Sequence, residues 1–188
     1  MSNQKQEAIF EAAMQLFAER GYDGTTVPMI ADKAKVGAGT IYRYFENKES
    51  LVNSLFTKCV LQFSEAIRSN FPSETNVREK FTHIFNRLFE FARHNVNAFR
   101  FINSHHEGHY LNESSKKTFN DFLDFIIELI EDGKERGVIR SLPSCALIAL
   151  VYEPIVKLVQ LMETGELTYT EELVKELEES FWNAIGIS

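Results

Sequence analysis

IADKAKVGAGTIYRYFENKESL, residues 30–51, sets two glycines between short apolar groups and follows them with two tyrosines, a phenylalanine and a lysine. A segment that only filled a core would need no such mixture of tight turn, exposed aromatics and cation. With a helix at 27–34, Ile30 and Ala34 face inward, Ala31 is small where two helices cross, Val36 plugs the turn and Ile41 anchors the next helix. Residues 35–38 make the turn, Gly37 serves as N-cap, and the following helix, 39–45, opens on small residues that let its backbone come close to base edges. Tyr42 and Tyr44 are two apart and point in different directions on a helix, so both cannot be core. Ile41 and Phe45 share the inward face; a tyrosine hydroxyl, Thr40, Arg43 and Lys48 are left to reach phosphates. Lys48 at the start of a helix opposes the helix dipole and calls for an anion nearby. The plain alternative is the ordinary surface of a helical hairpin.

Outward from this stretch, helical periodicity runs almost throughout, punctuated by four prolines and nine glycines, which predicts an all-α chain. A first helix at 4–20 carries Ile9, Ala12, Ala13, Leu16 and Phe17 at three- and four-residue spacing and stops at Gly21. Thr25 and Thr26 offer N-caps for the second helix, with Pro28 in its first turn. A long helix starts at Asn47 or Lys48, passes through Leu51, Leu55, Val60, Phe63 and Ile67, and breaks at Phe71, Pro72 and Ser73, a candidate domain boundary. Further helices are expected at 77–94, 96–104, 113–136 with Gly137 as stop, 144–163 and 170–185. The resulting division is a three-helix head, 1–47, and a larger helical domain, 48–188, whose residues 48–70 connect the two.

At 188 residues, 44% hydrophobic and 25% charged, the chain can bury a core of its own. The net charge of −7 is uneven: residues 1–50 hold six Lys/Arg against seven Asp/Glu, and the remainder 14 against 20. Any nucleic-acid binding must therefore rest on a few placed cations rather than on a bulk field. The longest apolar run is the eight residues 145–152, short of the roughly 18 needed to span a bilayer, and residues 1–7 lack a signal-peptide pattern, so a cytoplasmic protein without a membrane partner is expected. Cys59 and Cys145 each sit in an apolar helical pattern, which predicts buried free thiols.

The blocks LFAERGY, TTVPMIA, GTIYRYF and NKESL, in that order between Ile9 and Phe56, resemble the DNA-binding head of the TetR family of bacterial transcriptional regulators. The resemblance implies that Gly39, Thr40, Tyr42 and Lys48 contact the DNA backbone and that Ala38 and Arg43 lie where side chains face bases. Thr26, Lys35 and Tyr44 complete the expected DNA-contacting set. Two positions depart from the family pattern. Lys35 stands in the turn where the family usually has glycine, adding a cation, and Gly37 stands where it usually has a capping serine.

Thirteen of the sixteen phenylalanines lie beyond residue 50. Singly they read as core; as a set they suit the wall of the ligand cavity that the resemblance implies, taking a hydrophobic or aromatic effector. The expected wall is Phe63, Phe89, Phe101 and Phe122, with His83, Asn103, His106, Tyr110 and Tyr152 as polar candidates. His105, Glu107 and His109 invite a metal reading, but Gly108 interrupts the helix and the order is not HExxH, so neither metal nor cofactor is expected. No nucleophile with a paired base and no phosphate-cradling glycine loop is present, which argues against an enzyme.

Apolar stripes on the last two helices, through Ile148, Val151, Ile155, Leu158, Val159 and Met162 and through Leu173, Leu177 and Phe181, predict a homodimer built on a four-helix interface. The alternative is that these helices cover a monomer's own core. The functional expectation is a dimeric repressor that binds a pseudo-palindromic double-stranded operator and is released by a small molecule. A helical protein-interaction or ligand-carrying module with a degenerate head is the competing class.

Overall fold

The structure, a computed structural model, describes residues 2–187 and is all-α. Its helices are α1 (Ser2–Arg20), α2 (Val27–Lys33), α3 (Ala38–Tyr42), α4 (Lys48–Arg68), α5 (Val77–His94), α6 (Val96–His105), α7 (Glu113–Glu135), α8 (Ser144–Glu163) and α9 (Glu171–Ile185). Four of the expected helices end early: α2 stops at Lys33 rather than Ala34, α3 at Tyr42 rather than Phe45, α4 at Arg68 rather than Asn70, and α7 at Glu135 rather than Arg136. The caps explain most starts. Thr26 accepts from the Met29 amide to open α2, and Thr170 from the Leu173 amide to open α9. Asn47 opens α4 reciprocally, its Oδ1 accepting from the Ser50 amide while the Asn47 amide donates to Ser50 Oγ.

The chain forms two compact units, and they do not follow the sequence division at 47/48. One comprises the chain up to Phe63 with Asn95–Asp121; the other comprises Ser64–His94 with the chain from Phe122 on. The Pro72 break therefore separates α4 from α5 without marking a unit boundary.

In the first unit, α6 packs on α1. Phe17 meets Phe101 at 5.9 Å between ring centroids, and Phe101 meets Phe56 of α4 at 6.3 Å. Phe17, Phe56 and Phe101 are fully buried with Ile9, Ile30, Ile41 and Leu51, so one core serves the three head helices, the first part of α4 and α6. Cys59 is buried in it, and burial pushes its thiol pKa up to about 12.

In the second unit, Phe81, Phe85 and Phe89 form a ladder along α5, with successive centroids about 6 Å apart (6.1 and 6.0 Å). Phe181 and Trp182 of α9 cover it, meeting Phe85 at 5.7 Å and Phe81 at 5.4 Å. Beside the ladder, the buried Glu178 carboxylate accepts a two-pronged pairing from Arg78, with Nη2 to Oε2 at 2.8 Å, and a hydrogen bond from Thr82 at 2.8 Å. Burial alone would raise the Glu178 pKa, but the hydrogen bonds from Arg78 and Thr82 outweigh it and hold the carboxyl below its ordinary range.

The last helices correct one expectation. Cys145 is exposed, whereas Leu147, two residues on and on another face of α8, is buried. α8 as a whole is long and apolar enough to cross a membrane by length and composition, although Glu153 and Lys157 break its uninterrupted apolar run. It continues through Pro154 as the apolar pattern required.

Removing one partner of a buried pair strands the other. Arg78→Met should lower the stability of the folded chain by about 2–3 kcal/mol, as measured by denaturant unfolding, because Glu178 loses its charged donor. A change below about 0.5 kcal/mol, the scale of an ordinary surface substitution, would show that the pair contributes nothing beyond its surroundings.

Candidate nucleic-acid interface

The helix-turn-helix is built as its residue pattern demands. Ile30 and Ala31 are buried on α2, Ile41 is 1% exposed on α3, and Phe45 is buried against Phe10 at 5.3 Å. The Val36 amide returns to the Ala31 carbonyl at 3.0 Å and folds the turn back on α2. Within that turn Lys35 has φ +54°, the left-handed region that costs a side chain with a Cβ about 1–2 kcal/mol and where glycine is at ease. Gly37 caps α3 in an extended conformation with no side-chain hydrogen bond. Both departures from the family pattern thus appear as local weaknesses of the turn.

With Ile41 and Phe45 facing inward, the other side of α3 faces solvent. Tyr42 is 55% exposed, Arg43 and Gly39 are exposed, and Ala38, Thr40 and Tyr44 are half-buried. A Cβ at Gly39 would meet no atom within 4 Å, so the glycine is not required by packing inside the chain. Lys35 and Thr26 are exposed on the same helix-turn-helix.

Lys48 has a different surrounding from the one its sequence position suggests. Its ammonium donates to the carbonyls of Tyr22 at 2.8 Å and Thr25 at 3.1 Å, and lies 3.8 Å from the Tyr22 ring centroid. The carbonyls of the α1–α2 turn and the Tyr22 ring therefore supply the negative partners that a lysine at a helix N-terminus needs. The two carbonyls and the ring hold the ammonium in place, and Lys48 stays half-buried rather than sealed from solvent.

The same corner holds groups whose contacts sequence reading missed. Thr25 is fully buried, and its hydroxyl reaches the carbonyls of Leu16 at 3.1 Å and Gly21 at 2.8 Å. Tyr22 stacks on Tyr110, with centroids 3.9 Å apart and planes 17° apart. Buried Asn53 donates to the carbonyls of Glu49 at 2.9 Å and Tyr110 at 2.8 Å and accepts from the Asn112 amide at 2.8 Å. A buried Asn in an apolar helical run, such as Asn53 between Val52 and Leu55, was the available signal, since its amide must find partners.

His105 is 2% exposed and joins this corner to α1. Its Nδ1 faces the Tyr110 hydroxyl and its Nε2 the Phe17 carbonyl at 3.3 Å. A carbonyl can only accept, so Nε2 carries the proton and Nδ1 accepts from the hydroxyl. Both ring nitrogens are thereby engaged within the protein. Burial lowers the His105 pKa, against an opposing pull from the Phe17 carbonyl. Burial also pushes the Tyr110 hydroxyl up to about 12.

The residues expected to line a ligand cavity are divided between the units. Phe63, Phe101, Asn103, His106 and Tyr110 belong to the first, and His83, Phe89, Phe122 and Tyr152 to the second. Phe101 packs inside the first unit and Tyr110 is turned to the head, stacked on Tyr22. His106 is exposed, its Nδ1 at 2.9 Å from the Asn103 carbonyl. In the second unit, His83 Nε2 bonds to the Ile67 carbonyl at 3.0 Å, and Phe89 packs between Phe85 and Tyr169. Of the expected interface residues, Ile155 and Val159 are buried within their own unit; Ile148, Val151, Leu158, Met162, Leu173, Leu177 and Phe181 are half-buried.

A histidine whose folded pKa lies below its ordinary value of about 6.5 binds fewer protons folded than unfolded, so its contribution to stability is complete above that value and lost as pH falls below it. Urea unfolding at about pH 7.5 and about pH 5.5 should show the wild type losing stability on acidification and His105→Gln losing less. Equal losses in both would mean that the other histidines and carboxyls account for the whole pH effect.

Residues 9–55 match the bacterial regulatory proteins of the tetR family, and residues 56–187 match the tetracyclin repressor-like C-terminal domain. An uncharacterized HTH-type transcriptional regulator of Bacillus subtilis, YhgD, is 31% identical over 146 residues, covering 74% of this chain and 74% of its own length. Among solved structures, a TetR family transcription regulator from Marinobacter aquaeolei superposes with a TM-score of 0.88 at 24% identity, covering 99% of this chain and 97% of that one. The Bacillus subtilis regulator FadR in complex with stearoyl-CoA superposes with a TM-score of 0.67 at 23% identity, covering 94% and 95%. With family matches over nearly its whole length and helix-turn-helix residues that pack as the pattern requires, this chain belongs to the TetR family of transcriptional regulators.

Proposed function

We propose that the chain is a cytoplasmic homodimeric repressor that binds a pseudo-palindromic operator and is released by a hydrophobic small molecule. The observation that carries the reading is the split of α3 and its C-cap: Ile41 is locked into the core while Gly39, Tyr42 and Arg43 are exposed, and packing inside the chain does not require Gly39. Ala38 and Arg43 would face bases, and Thr26, Lys35, Gly39, Thr40, Tyr42, Tyr44 and Lys48 would meet phosphates. In this division residues 1–47, with Lys48 at the start of α4, meet DNA, and the rest of residues 48–188 bind effector and partner.

Pairing is supported by α8, which is apolar enough to span a membrane yet leaves Leu150 46% exposed. Exposed Glu153 and Lys157 in the middle of that helix oppose a lipid-facing reading and suit an interface with a wetted rim. A second copy would cover the half-buried Ile148, Val151, Leu158 and Met162 of α8 and the outward edge of α9, and would set two recognition helices about 34 Å apart in successive major grooves. The complex of FadR with stearoyl-CoA is an example of a ligand with a long apolar chain on the same fold. Such a ligand acts by binding one spacing of the two heads better than the other, with α4 as the lever.

The test is fluorescence-anisotropy titration of the duplex immediately upstream of the chain's own gene, with unrelated duplex as competitor, across a range of salt. Specific binding with log affinity falling steeply against log salt is expected, and release by a long-chain acyl-CoA would place the effector class. Equal weak binding to both duplexes, repeated with fragments selected from the whole genome, would leave the competing reading of a helical module with a degenerate head.

Gly39→Ala separates fold from interface. The open space at Gly39 and the higher helix propensity of alanine should raise stability by up to about 1 kcal/mol, while the added methyl should weaken operator binding about tenfold. Unchanged affinity would move the DNA away from this face of α3.

A further inference from the structure

The corner between α6 and α7 is tied into the head more closely than any loop needs for packing alone. The Tyr110 carbonyl accepts from Asn53 of α4 at 2.8 Å, its hydroxyl donates to His105 of α6, and its ring lies on Tyr22 at 3.9 Å. His105 in turn donates to the Phe17 carbonyl of α1. The far side of the arrangement is Lys48, bonded to the Tyr22 and Thr25 carbonyls and set against the Tyr22 ring at 3.8 Å. Asn53 and Lys48 both belong to α4, so the contacts close a circuit: α4 to Tyr22, Tyr22 to Tyr110, and Tyr110 back to α4 and to α1.

Gly108 adds an independent constraint. A Cβ there would lie 2.5 Å from Cζ, 2.7 Å from Cε2 and 2.8 Å from the hydroxyl oxygen of Tyr110. Its backbone is not in the left-handed region, so the demand for glycine is steric and comes from the Tyr110 ring. The loop is shaped to seat that ring against the head.

We propose that Tyr110, seated by Gly108 and His105, is a positioning residue for DNA binding. It fixes Tyr22, and Tyr22 with the two turn carbonyls holds the Lys48 ammonium where a backbone phosphate would meet it. The inference rests on the reading of Lys48 as a phosphate contact. It makes the α6–α7 corner a part of the DNA-binding element, although this loop lies far along the chain from the helix-turn-helix and carries no cation toward DNA. A lysine on a flexible stem loses rotamer entropy on meeting a phosphate; holding it beforehand on two carbonyls and a ring removes that cost from the binding step.

The experiment measures the slope of log affinity against log salt for the full chain on a duplex enriched from a random-sequence pool by the wild-type protein. Variants are Lys48→Met, Gly108→Ala, Tyr110→Phe and the two double variants that add Gly108→Ala or Tyr110→Phe to Lys48→Met. Acylation of Lys48 by an amine-reactive reagent is followed in the free proteins by peptide mass spectrometry. Lys48→Met should lower the slope by about one, the loss of one phosphate contact. Gly108→Ala should lower it by a similar amount and add nothing in the Lys48→Met background, while Lys48 acylation rises several-fold in the free variant. Tyr110→Phe keeps the stacked ring, loses the bond to His105, and should fall between Gly108→Ala and wild type.

If Lys48→Met lowers the slope while Gly108→Ala and Tyr110→Phe keep the wild-type slope and wild-type acylation, the corner is structural and the inference is overturned. If Lys48→Met itself leaves the slope unchanged, the phosphate-contact reading of Lys48 fails first and takes the inference with it. Should Gly108→Ala not fold, the slope and acylation of Tyr110→Phe decide by the same rule.

Discussion

The end of α1 must be closed before the helix-turn-helix can have a fixed direction. A helix leaves its last carbonyls without amide partners, and here they fall inside the protein. The Gly21 amide, from a left-handed residue at φ +69°, bonds to the Phe17 carbonyl at 2.9 Å, and the Thr25 hydroxyl serves Leu16 and Gly21. Of the carbonyls of the turn itself, Tyr22 accepts from the Thr25 amide at 3.3 Å and from Lys48 of α4, and Thr25 accepts from Lys48. The direction of α2, and through the turn that of α3, is thereby set by a charged group on another helix. Hydrogen bonds from a charged donor are about twice as strong as neutral ones, which suits a junction of so few residues.

The two units solve the problem of buried polarity differently. The first relies on neutral groups with every partner in place, Asn53, Ser115, Thr25 and His105, together with one cation on carbonyls. The second buries a full charge, Glu178, and neutralises it with Arg78 and Thr82. A neutral network orients its members through hydrogen-bond geometry, whereas an ion pair in a wall of aromatic rings mainly pins α5 to α9.

Much of this was legible in the sequence because local rules agree with the global fold. The stretches 77–94 and 144–163 were bounded correctly by their apolar period and flanking polar residues, and the outward and inward faces of α3 followed from the spacing of Ile41, Tyr42, Tyr44 and Phe45. The strained Lys35 was visible as a residue standing where glycine is usual. What escaped were contacts between residues distant along the chain. Lys48 read as a cation awaiting an anion because its partners, backbone carbonyls, have no letter in the sequence. Tyr110 read as a pocket residue because nothing nearby in the chain says that its ring will meet Tyr22. Cys145 read as buried because the period of α8 gives an apolar helix but not which of its faces is covered.

The interleaving of the units has a consequence for how the protein is made. The first unit takes its α6 and the start of α7 from residues 95–121, after the chain has already supplied α5 to the second unit. A ribosome releasing the chain from its N-terminus therefore exposes the helix-turn-helix residues long before Phe101 and His105 arrive to cover Phe17. Until then the Phe17 side of α1 lacks the cover that α6 gives it, and a fragment ending at residue 55 would keep that side bare. The reading head, first to be synthesised, is thus among the later parts to reach its final form, and it matures only with a chain long enough to contain α6.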